Sequence, residues 1–102
     1  MALMLSEKSA MPDICGSSIG SITIPNGSFT PTQDCWCVGN VSPGTSSSAA
    51  QVIVTNGSST KTLIIYVGDN SQVPVCVPIK AGLTVSTRNK TGQIYDLYFY
   101  AT

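Results

Sequence analysis

Short runs of β-branched and aromatic residues recur along the chain, separated by Gly, Asn, Pro and Ser. No long segment carries the i, i+3, i+4 spacing of an amphipathic helix, so the pattern is that of an all-β domain. The runs predict strands over 21–24, 33–41, 49–55, 61–67, 73–79, 83–89 and 93–101. Asn56-Gly57-Ser58-Ser59-Thr60 falls between two such runs, and Asn-Gly readily takes the positive φ of a tight turn, which makes a hairpin. Gly68-Asp69-Asn70-Ser71 and Lys90-Thr91-Gly92 are turns by the same chemistry, and 42–48 reads as a Ser-rich surface loop. The expected fold is an antiparallel β-sandwich or jelly-roll-like barrel over 14–102. A short N-terminal arm over 1–13 precedes it, closed off by Met11-Pro12-Asp13.

Side-chain alternation assigns faces within each strand. Val73, Val75, Val77 and Ile79 point one way, and Pro74, Cys76 and Pro78 the other. Two prolines cannot donate to a ladder, so this strand belongs at an edge or bears a bulge. Leu83, Val85 and Thr87 oppose Thr84, Ser86 and Arg88, the pattern of a half-buried strand. The last strand differs. Tyr95, Leu97 and Phe99 lie on one face and Ile94, Asp96, Tyr98 and Tyr100 on the other, so both faces are largely apolar or aromatic. The 61–67 segment has the same character, with Leu63, Ile65 and Val67 opposite Ile64 and Tyr66.

One small domain struggles to cover both faces of two strands. Burial of a large apolar side chain stabilises by about 1.5–3 kcal/mol, against roughly 1–2 kcal/mol of backbone entropy per ordered residue. Self-association is therefore expected, with Ile64, Tyr66, Tyr98 and Tyr100 among the contacts between copies. Trp36, Tyr95 and Phe99 are expected in the core, although Trp36 and Tyr98 also suit stacking against a sugar ring.

Composition narrows the chemistry. Five Lys and Arg balance five Asp and Glu, and only 10% of the 102 residues are charged. No broad positive field exists to hold nucleic acid. Histidine is absent, which removes the commonest general base and metal ligand. No stretch approaches the ~20 apolar residues of a membrane helix, and no secretion signal is legible at the N-terminus, so no membrane insertion is expected. Cytosolic synthesis follows, and in that compartment the cysteines are expected as thiols.

Cys35-Trp36-Cys37 sets two sulfurs on one strand face, roughly 6.5–7 Å apart, too far for an unstrained disulfide. A zinc site joining them to Cys15 and Cys76 lacks the usual Cys-x2–4-Cys knuckles, and a cysteine nucleophile would lack its histidine. Small buried thiols are the expectation. Glu7, Asp13, Asp34, Asp69 and Asp96 are widely spaced, and Lys80, Arg88 and Lys90 read as a solvated strand end. Neither an enzyme nor a cofactor is indicated.

Several stretches resemble small bacteriophage fibre proteins and fibre-tip domains. They are Met11-Pro12-Asp13, the corner Gly27-Ser28-Phe29-Thr30-Pro31-Thr32-Gln33-Asp34-Cys35-Trp36, the step Val77-Pro78-Ile79-Lys80-Ala81-Gly82, and the aromatic strand Tyr95-Asp96-Leu97-Tyr98-Phe99-Tyr100. The chain departs from that family at one point: Cys35 stands where a glycine is expected before the tryptophan, and Cys37 follows it. The resemblance implies a non-enzymatic virion protein of jelly-roll type, a homotrimeric fibre or decoration domain made in the bacterial host cytoplasm. It further implies display or host attachment, contact with other virion proteins through an anchoring arm bearing Leu3, Leu5 and Met11, and a host surface glycan as a partner. A carbohydrate-binding β-sandwich module is the alternative.

Overall fold

The computed structural model describes residues 14–45, 48–64 and 72–102. Within them lie eight strands: β1 (Gly20–Ile22), β2 (Ser28–Phe29), β3 (Cys35–Ser42), β4 (Gln51–Thr55), β5 (Thr60–Ile64), β6 (Val73–Ile79), β7 (Thr84–Thr87) and β8 (Ile94–Ala101). A front sheet has the order β1-β8-β3-β6 and a back sheet β2-β7-β4-β5, each antiparallel throughout. The order has a simple origin. Strand pairs β4–β5, β3–β6, β2–β7 and β1–β8 are the successive rungs of one long hairpin, rolled so that β3 meets β8 and β4 meets β7. This is a jelly roll, two Greek keys in a double sheet.

The tip of the rolled hairpin is the Asn56-Gly57 turn. Gly57 has φ 95°, which an L side chain rarely adopts. The Asn56 carboxamide oxygen accepts from the amides of Ser58 (2.8 Å) and Ser59 (2.7 Å). As its two prolines require, β6 is an outer strand of the front sheet. The predicted 61–67 strand is described as far as Ile64, and Ile65, Tyr66, Val67 and the 68–71 turn lie outside the described residues.

Between the sheets, Ile22, Cys35, Cys37, Val41, Val75, Ile79, Tyr95, Leu97 and Phe99 of the front meet Val52 and Val85 of the back. Phe29 packs its ring on Phe99, with centroids 4.7 Å apart. That ring also lies against Gly20, leaving no room there for a side chain. Gly39 is needed for a similar reason, because a Cβ on it would collide with the Asp96 carbonyl of the neighbouring strand.

One end of the core is closed by polar groups. The Tyr95 hydroxyl donates to Gln93 Oε1 (2.8 Å) and accepts from the Gln51 amide (3.1 Å), while Gln93 Nε2 donates to the Ala49 carbonyl (2.8 Å). Tyr95→Phe strands a buried carboxamide oxygen and a strand amide. An orphaned group of this kind costs about 1–3 kcal/mol. Thermal denaturation of the variant is expected to show the loss, at roughly 4–8 °C of Tm per kcal/mol.

Candidate interaction surface

The β3–β8 pairing places Trp36 opposite Tyr100 and Val38 opposite Tyr98, while β6 adds Pro78 beside Trp36 and Cys76 beside Val38. The six side chains form two adjacent rows on the outer face of the front sheet. Trp36, Val38, Tyr98 and Tyr100 are half-buried, and Cys76 and Pro78 are exposed. Ile94, 48% exposed, continues the face along β8. Asp96 is the one charged residue that these strands present there, and it is tied up. The Tyr98 hydroxyl donates to Asp96, and that bond, with the carboxylate's charge, pushes the phenol pKa up.

The back sheet's outer face has the opposite character. Ser28, Ser86 and Thr62 share one row with Ile53, and Thr84, Thr55 and Thr60 form the next. Hydroxyl groups there bond one another or the backbone, as Thr30 does with Thr84 (2.8 Å) and Thr60 with Thr55 (3.1 Å).

A cavity of about 500 Å³ opens where β3 begins and β6 ends, lined by Asp34, Trp36, Pro78, Lys80, Leu83 and Thr102 among others. The Asp34 carboxylate accepts from the Ala81 amide (3.0 Å), fixing the turn in which the Leu83 amide donates to the Lys80 carbonyl (3.1 Å). A carboxylate, an ammonium and an indole thus stand around one opening.

No protein-family model matches the chain, and no curated protein does either. Solved structures do. The fold is similar to that of a pentameric capsid protein isolated from metagenomic phage sequences, at 18% identity and TM-score 0.62. That match covers 97% of this chain and 74% of the other. A second pentameric capsid protein of the same kind matches at 20% identity and TM-score 0.58, over 93% of this chain and 66% of its own length. At such identities the likeness is one of fold.

The expected site residues within the described part of the chain fall on both sheets. Tyr98 and Tyr100 stand together on the front sheet, whereas Ile64 ends β5, the outer strand of the back sheet. One continuous patch therefore does not hold all of them. Tyr66, Leu3, Leu5 and Met11 lie outside the described residues. Trp36 is corrected from core to outer face: Cys35 and Cys37 are fully buried, and the residue between them must point away. Trp36 lines the cavity and Tyr98 does not, so the two do not share that opening. The cavity itself had no linear signal, since its residues come from four separate stretches.

Cys35 and Cys37 are buried and Cys76 is exposed on the opposite face of the sheet, so the four sulfurs do not converge on a metal. Among the described residues no cluster of three or more metal-ligating groups exists. Burial, aided by neighbouring thiols, pushes the Cys37 pKa up to about 12, the reverse of what a nucleophile needs. Lys80 stands at the cavity, whereas Arg88, at the far end of the sandwich, donates to the Ala49 carbonyl (3.2 Å). Lys80 therefore stands apart from Arg88.

Proposed function

We propose that this chain is a non-enzymatic structural protein of a phage virion that assembles with copies of itself. The observation that carries the reading is the jelly-roll fold, shared over 97% of the chain with a pentameric phage capsid protein. Two properties of the chain support it. Its sequence holds no histidine, the commonest general base, and its low, balanced charge suits close packing among copies. The pentameric state of both similar proteins favours five copies over the three that the fibre resemblance implies. That both are capsid proteins favours a capsid location over a fibre tip.

In this reading residues 1–13 contact other virion proteins, with Leu3, Leu5 and Met11 as the apolar anchors. Light scattering at micromolar concentration tests the assembly. About 53 kDa is expected for five copies of the 10.6 kDa chain, and a monomer at every concentration overturns the reading. Deleting residues 1–11 is expected to leave that assembly intact and to abolish incorporation into particles, which co-sedimentation with virions measures.

A second reading, glycan binding for host attachment, is favoured by the cavity beside Trp36. Indole faces stack on sugar rings, and the Asp34 carboxylate and Lys80 ammonium supply hydrogen bonds at the rim. Glycan binding that Trp36→Ala abolishes supports it, and an array with no hits removes it.

A further inference from the structure

We propose that the outer face of the front sheet is the surface on which one copy of this chain seats against the next. The inference rests on the reading that copies self-associate, and it says where. Its six central side chains are Trp36, Val38, Cys76, Pro78, Tyr98 and Tyr100, in two registered rows across β8, β3 and β6.

The first argument is redundancy. Residues Tyr95, Leu97 and Phe99 already fill the core beneath β8, each 2% exposed or less. The tyrosines on the other side of that strand add nothing to the interior. The second is contrast. The back sheet presents hydroxyls to solvent while the front sheet presents aromatic rings, a difference that the fold does not require, because both outer faces lie outside the same core.

The third argument concerns the occupant. Trp, Tyr and few charges mark the buried centre of a protein–protein contact. Away from the cavity at its Trp36–Pro78 end the face encloses no small ligand, and its strands lack the Lys and Arg that an anionic surface would attract. Strands of seven and eight residues in a three-stranded face span roughly 26 by 14 Å, or about 370 Å² in projection before side-chain relief is added. That supplies about half of the ~800 Å² per partner found in stable interfaces, as the centre of a larger contact. A second copy is the partner that the similar pentameric proteins supply by example. In a ring of five the contact is heterologous, so the face meets a different surface of the neighbour.

The experiment compares the wild-type chain with Cys76→Glu, Tyr98→Lys and Thr62→Glu by light scattering over a dilution series. Far-UV circular dichroism confirms folding of each. Cys76 is exposed on an outer strand, so its variant keeps the test valid if Tyr98→Lys fails to fold. Both front-sheet variants are expected to raise the dissociation midpoint at least tenfold, while Thr62→Glu on the back sheet leaves it unchanged. Alkylation of Cys76, read by mass spectrometry, is expected to be suppressed in the assembled chain and restored on dilution. An assembled wild type whose front-sheet variants assemble equally well, with Cys76 fully reactive, overturns the surface and leaves self-association standing. A particle of two copies with Cys76 protected keeps the surface and overturns the ring. A wild type that is monomeric throughout overturns both.

Discussion

Phe99→Ala is expected to remove about 3–5 kcal/mol of folding stability, the range for emptying a buried aromatic site. Phe99 is fully buried at the middle of the front sheet, and Phe29 leans on its ring from the second sheet. Phe29 lies on a two-residue strand paired with β7, and its ring rests on Phe99 and against Gly20 of β1. The cavity left by the substitution is therefore expected to loosen the β1–β2 edge as well as the centre. A domain of this size has only about 5–15 kcal/mol in total, so the variant approaches the limit of folding. Chemical denaturation of the dissociated chain measures the loss. Tyr100→Ala, one residue along, is the informative contrast. Tyr100 sits partly buried on the outer face and fills no part of the core, and its removal is expected to cost the isolated chain about 1 kcal/mol.

The parity of β8 that separates these two outcomes is legible in the amino-acid order, and so is much of the fold. Asn56-Gly57 marks the tip of the rolled hairpin, and every inner strand pair then follows outward from it. The prolines of β6 place that strand at an edge, because a central position needs donors on both sides. What alternation cannot convey is which sheet a strand joins. Ile64 and Tyr98 read alike as apolar residues on two-sided strands, yet β5 and β8 lie in different layers. β2 was illegible for another reason. Ser28–Phe29 is too short to alternate, and Phe29 is held by a ring contact seventy residues away along the chain, not by local preference.

Trp36 shows how an expectation based on size alone fails. A tryptophan between two cysteines looks like the core residue of the three. Strand parity allows only one arrangement or its inverse, and the inner layer takes the thiols. Cys35 and Cys37 are small, and they lie across from Ile79, Phe99 and Val77, where the space is already filled. The larger indole is left outside, next to Tyr100 and Pro78. Core packing thus sends the indole to the outer face, where it joins Tyr98 and Tyr100 on a surface available to a partner.

The same two thiols make the fold sensitive to alkali, and the second large effect expected of this chain follows from them. Burial first, then the charges of Cys35 and Cys76, holds the Cys37 proton until a pH of about 12. Cys35 is raised as well, by burial and by Asp34, and Tyr95 is raised chiefly by burial. An unfolded thiol loses its proton near pH 8.5–9. Above that point the unfolded chain binds fewer protons than the folded one, so stability falls as pH rises. Each unit between the two pKa values costs about 1.4 kcal/mol per thiol, so Cys37 alone accounts for roughly 4 kcal/mol by pH 12. Urea denaturation at intervals from pH 7 to 12 is expected to show a plateau below pH 8.5 and a steepening loss beyond it. Cys37→Ala is expected to begin less stable at neutral pH and then to fall more slowly, its slope shallower by about 1.4 kcal/mol per unit. Equal slopes in the two proteins would mean that the Cys37 sulfur is ionised in the fold, and its burial between the sheets would be wrong.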